Sequence, residues 1–66
     1  MTFRPDDLGE HLDRLYRYAM SNTHDPDRAA DCVQDTVARA LERRDQYRED
    51  APLGHWLMRI AHNLLV

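Results

Sequence analysis

Apolar residues in this chain recur at three- and four-residue intervals in three separate stretches, the spacing of helices that each lay one stripe on a shared core. The first stretch carries Leu8, Leu12, Leu15, Tyr16 and Ala19, with Glu10, Asp13, Arg14 and Arg17 on its solvated side, and predicts a helix over about 7–21. The second carries Ala30, Val33, Val37, Ala40 and Leu41 and predicts a helix over about 26–44. The third carries Leu53, Leu57, Ile60, Ala61 and Leu64 over about 52–66, with His55, Arg59 and His62 opposite and Trp56 between the faces. The expected fold is all-α, a three-helix bundle.

Local chemistry supports these limits. After Pro5, Asp7 and Glu10 have the spacing of a capping box. Asp25 before Pro26 reads as an N-cap followed by a proline at the first helical position, where no intrahelical bond is lost. Asp27 in the first turn, and Arg43 and Arg44 in the last, suit the helix dipole. The polar connector Asn22–His24 is short enough to make the first two helices antiparallel neighbours. Asp45 to Ala51 shows no stripe, and Pro52 turns Ala51 away from helical geometry, so a loop carrying Tyr47 is expected. Residues 1–4 are expected to be loose. Leu64, Leu65 and Val66 end the chain in an apolar run without a capping residue, which reads as a cut piece prone to self-association.

Sixty-six residues make at most one domain, burying only about 60% of the surface of the unfolded chain. Hydrophobic content of 42% with two glycines and three prolines fits a helical globular domain and not a disordered segment. No apolar run approaches the ~20 residues that span a bilayer, and a cytoplasmic location without membrane contact is expected. A net charge of −3 argues against a broad basic face that grips duplex DNA.

The chain has no glycine-rich phosphate loop and no nucleophile motif, so no catalytic residue, cofactor or metal site is expected. His55 and His62 are two turns apart and read as surface residues. Cys32, the one cysteine, reads as a half-buried, inert small residue. On the polar side of the second helix, Asp31, Gln34, Asp35, Ala38 and Glu42 share one arc. Such a face is either simply solvated or a dock for a helix bearing arginines, with Ala38 as a flat spot between carboxylates. Composition alone leaves both open.

The strings DCVQDTVARAL and APLGHWLMRIAHNLL carry a resemblance. Together with LYRYA at Leu15–Ala19 they resemble, in order, three motifs of the second conserved region of sigma-70 family initiation factors, especially the extracytoplasmic-function (ECF) group. Val37 replaces the usual aromatic, and His62 stands where Arg is frequent. The resemblance implies a non-enzymatic transcription initiation domain that binds core RNA polymerase and helps recognise and melt the −10 promoter element. Asp31, Gln34, Asp35, Ala38 and Glu42 would meet the clamp helices of the polymerase largest subunit. The loop from Asp45 to Pro52 would capture a flipped base of the −10 non-template strand, giving Tyr47, Arg48, Arg59, His62 and Asn63 as DNA-binding residues. Trp56 reads as core. The rest of the promoter-reading helix and the region 4 domain would lie beyond Val66, and an anti-sigma factor is an expected partner. Two alternatives stay open: a sigma-mimicking domain that sequesters an anti-sigma factor, and a plain helical dimerisation module.

Overall fold

A computed structural model describes residues 3–48 and 50–66 of the chain. Four α-helices follow in order: α1 Pro5–Leu8, α2 Leu12–Thr23, α3 Pro26–Glu42 and α4 Leu53–Leu65. A 3-10 turn, Gly9–His11, joins α1 to α2, so that together they form the predicted first helix with a tightened turn inside it. A second one, Arg44–Gln46, follows α3. The three long helices α2, α3 and α4 form the expected bundle around one core, and the described residues contain no strand.

The starts of the helices follow from side-chain chemistry, with one shift. Asp7 is not the first cap but the third helical residue, and its carboxylate accepts the Arg4 N–H at 2.8 Å. Asp25 caps α3 as expected, its Oδ1 accepting the Asp27 N–H at 3.0 Å, with Pro26 at the first helical position. Between them the chain reverses at His24, which holds left-handed geometry at φ 55° and donates its N–H to the Met20 carbonyl at 2.8 Å. Helix α2 thus runs to Thr23, two residues beyond its predicted end, and α3 stops at Glu42, two residues before.

The buried line of α3 differs from the predicted one. Ala29, Cys32, Thr36 and Ala40 are buried, whereas Ala30, Val33, Val37 and Leu41 are half-buried beside them. Small residues on the buried line allow close approach of the neighbouring helices, and the bulkier valines fill its edge. Thr36 is fully enclosed yet satisfied, because its Oγ1 donates to the Cys32 carbonyl at 2.7 Å. Cys32 is buried, not half-buried. Burial pushes its thiol above the ordinary range, the hydrogen bond with Thr36 opposes the shift, and nearby Asp35 adds to it.

On the first helix Leu8, Leu15 and Ala19 face the core, but Leu12 and Tyr16 stay 38% and 36% exposed and do not belong to it. Phe3 corrects the expectation of a loose start: it is buried and packs on aromatic rings from the loop and α4. Met1 and Thr2 lie outside the described residues. At the other end Leu64 and Leu65 are half-buried, leaving Val66 as the strongly exposed apolar residue.

Gly9 supplies a stability test. It holds ordinary right-handed helical geometry, and a Cβ added there would meet nothing within 4 Å. Gly9→Ala should therefore stabilise the fold by about 0.5–1 kcal/mol, by restricting the unfolded chain. Thermal unfolding followed by circular dichroism would show a raised Tm; a lowered one would mean that this turn needs glycine.

Candidate functional site

Asp31, Gln34, Asp35, Ala38 and Glu42 are all exposed, on the side of α3 away from its buried line. The flank nearest α4 shows where this face begins: Asp31 and Asp35, with Arg28, border a hollow of about 190 Å³ floored by Cys32, Leu64 and Leu65. Carboxylates thus stand over a partly apolar floor, and Gln34 and Ala38 extend the same surface along the helix. That combination suits an incoming helix that brings both cations and methyl groups.

A second site lies at the loop between α3 and α4. Phe3, Tyr47 and Trp56 form an aromatic cluster, with ring centroids 5.1 Å apart for Tyr47 and Trp56 and 5.8 Å for Phe3 and Tyr47. The Tyr47 hydroxyl donates to the Ala51 carbonyl, which closes the loop on itself. Beside the cluster is a pocket of about 250 Å³ whose walls are Gln46, Tyr47, Arg48, Asp50, Ala51, Trp56 and Arg59, so that one carboxylate accompanies its two guanidiniums. An adjoining hollow of about 310 Å³ shares Ala51, Trp56 and Arg59 and adds His55. Trp56 is therefore half-buried, core on one side and pocket wall on the other. Glu49, inside the predicted base-capture loop, lies outside the described residues.

The predicted DNA-binding residues do not all converge. Tyr47, Arg48 and Arg59 share the loop pocket. Asn63 instead lines a cleft between α3 and α4. His62 points to α2, its Nδ1 3.0 Å from the Tyr18 hydroxyl, a pairing that separation by 44 residues hides from any periodic pattern. Among the described residues no group of three potential metal ligands comes together, and no helix is long and apolar enough to cross a membrane. Phe3 is the site residue the periodicity missed: it is a lone aromatic before a proline-led helix, with no stripe to place it.

The all-α bundle and the order of its three motifs point to one class, and comparison with known sequences agrees. Residues 8–66 match the family described as Sigma-70 region 2, and the chain belongs to that family. It is similar to the ECF RNA polymerase sigma factor EcfG of Rhodopseudomonas palustris (strain TIE-1), 37% identical over 59 residues that cover 89% of this chain and 33% of that protein. It is also similar to the ECF RNA polymerase sigma factor SigL of Mycobacterium tuberculosis (strain ATCC 25618 / H37Rv), 36% identical over 58 residues, 86% of this chain and 33% of that protein. The chain thus spans about a third of the length of these relatives. No solved structure matches it.

Proposed function

We propose that the chain is the polymerase-binding and promoter-opening domain of an ECF-type sigma factor, a non-enzymatic initiation subunit. The observation that carries this is the separation of two surfaces with different chemistry on a fold of the right family. A carboxylate face on α3 offers acceptors to a basic helix of another protein, and an aromatic-walled pocket with Arg48 and Arg59 offers a place for one unpaired base.

In this proposal Asp31, Gln34, Asp35, Ala38 and Glu42 dock on the clamp helices of the polymerase largest subunit. Tyr47, Arg48 and Arg59 receive a base of the −10 non-template strand once polymerase has helped to open the duplex. A flipped base needs a π surface and a few hydrogen-bond donors more than a basic face, which reconciles DNA contact with a net charge of −3. An anti-sigma factor is the expected regulator, and it would compete for the same surfaces.

Because Trp56 is the only tryptophan, its fluorescence reports the pocket directly. Stacking one base contributes ~1–3 kcal/mol and one bidentate contact a similar amount, which together give about millimolar affinity before ordering costs. A single-stranded −10 non-template oligonucleotide should therefore quench Trp56 only at high concentration, and the matching duplex should not. Micromolar duplex binding, or an unchanged spectrum with the single strand at tens of millimolar, would contradict the assignment.

A further inference from the structure

Phe3 is buried, 7% exposed, and its aromatic partners are the two rings that wall the loop pocket. Its centroid stands 5.8 Å from that of Tyr47, edge to face at 70°, and 5.6 Å from that of Trp56 at 57°. Phe3 lines neither that pocket nor the hollow adjoining it, so it backs the walls without reaching what the pocket holds. The segment that carries it is short and firmly shaped. The Arg4 N–H donates to the Asp7 carboxylate at 2.8 Å, and the Asp7 N–H donates back to the Arg4 carbonyl at 2.9 Å. Pro5 fixes the backbone between them, and Leu8, 3% exposed, pins the far end in the core. Tyr47 lies instead among exposed loop residues, held by its hydroxyl on the Ala51 carbonyl and its N–H on the Arg44 carbonyl.

We propose that Phe3 is a positioning residue of the loop pocket, holding Tyr47 and Trp56 at the angle that leaves a ring face open to an unpaired base, a proposal that rests on the base-capture reading above. Tyr47 and Trp56 are tilted 42° to each other with centroids 5.1 Å apart. An aromatic pair left to itself prefers offset stacking or an edge-to-face contact, and 42° is neither. Offset stacking of Tyr47 on Trp56 would cover the faces a base needs. A third ring in contact with both opposes that collapse. The apparent affinity for a base falls with the fraction of molecules that hold the open arrangement, and by linkage a bound base favours the seated Phe3 in turn.

The test compares the unchanged chain with Phe3→Leu and Phe3→Tyr, with the single-stranded −10 non-template oligonucleotide as probe. The readout is the initial slope of fractional Trp56 quenching against strand concentration, with circular dichroism as the control on folding. Phe3→Leu, which keeps an apolar filler but no ring, should lower the slope about three- to tenfold at unchanged helix content. Phe3→Tyr, which keeps the ring, should restore most of it. A second measurement needs no substitution: in NMR spectra of the unchanged chain, the Phe3 ring protons should shift together with the Trp56 indole as strand is added. Equal slopes for the unchanged chain and Phe3→Leu, or a Trp56 shift with Phe3 unmoved, would overturn the role of Phe3 and leave base capture standing. Loss of helix content in Phe3→Leu, or failure of Phe3→Tyr to restore the slope, would make Phe3 a core residue only. An unchanged chain that does not respond to the strand would overturn base capture and this role with it.

Discussion

Leu57→Ala should leave most molecules unfolded in plain buffer at 25 °C. Leu57 is fully enclosed at the centre of α4, where that helix meets the rest of the core. Removing a buried leucine side chain costs about 2–5 kcal/mol, from lost transfer free energy and from the cavity left behind. A single core in a chain of this size rarely supplies more than about 3–5 kcal/mol in total. The two ranges overlap, so the loss is comparable to the whole stability. Urea titration followed by circular dichroism should show no folded baseline for this variant. Leu12→Ala is the control: Leu12 occupies the apolar stripe of the first helix in sequence but is 38% exposed, and its loss should cost a small fraction as much. If the two variants melt alike, the assignment of inner and outer positions is wrong.

The other large effect concerns binding, not folding. Asp35→Arg should weaken capture of the polymerase clamp helices by at least about thirtyfold, because it replaces an acceptor with a like charge opposite a basic partner. Losing one member of a desolvated charge pair costs about 2–5 kcal/mol, and repulsion adds to that. The fold should be unaffected. Asp35 is exposed, and surface substitutions of this kind usually stay within about 0.5 kcal/mol. Equal losses of melting temperature and of capture would assign Asp35 a structural role instead.

The three long helices, their order and the start of α3 were legible because they rest on local chemistry: the start of α3 follows from Asp25, from Pro26 beside it, and from a hydrogen bond that Asp25 accepts from the Asp27 N–H. The inner face of α3 was less so. Periodicity weighted by hydrophobicity selects Val33 and Val37, yet the closest packing uses Ala29, Cys32, Thr36 and Ala40, whose value lies in being small. A threonine that satisfies its own hydroxyl within the helix is apolar for packing purposes, and no hydropathy pattern records that. Leu12 and Tyr16 err in the opposite direction, their apolar character being visible and their exposure depending on where α3 and α4 lie.

Of the candidate sites, the carboxylate face was fully readable, since five exposed residues on one helix need only the 100° rotation to be placed together. The proposed strand-binding surface was only partly readable. Tyr47, Arg48 and Arg59 meet because a loop folds back on α4, whereas His62 is taken up by Tyr18 of α2 and Asn63 joins arginines of α3. Those groupings arise from tertiary packing, as does the burial of Phe3 against Tyr47 and Trp56. Only the family motifs, and not the spacing, linked the loop to base capture.

The central claim is that the carboxylate face of α3 docks a basic coiled coil of the polymerase. Its most direct test is an NMR titration of the labelled chain with a purified clamp-helix fragment of the largest subunit. Amide shifts and line broadening should centre on Asp31, Gln34, Asp35, Ala38 and Glu42, leaving Tyr47 and the exposed Leu12 and Tyr16 unmoved. Shifts centred on Leu12 and Tyr16, or none at saturating fragment, would contradict it.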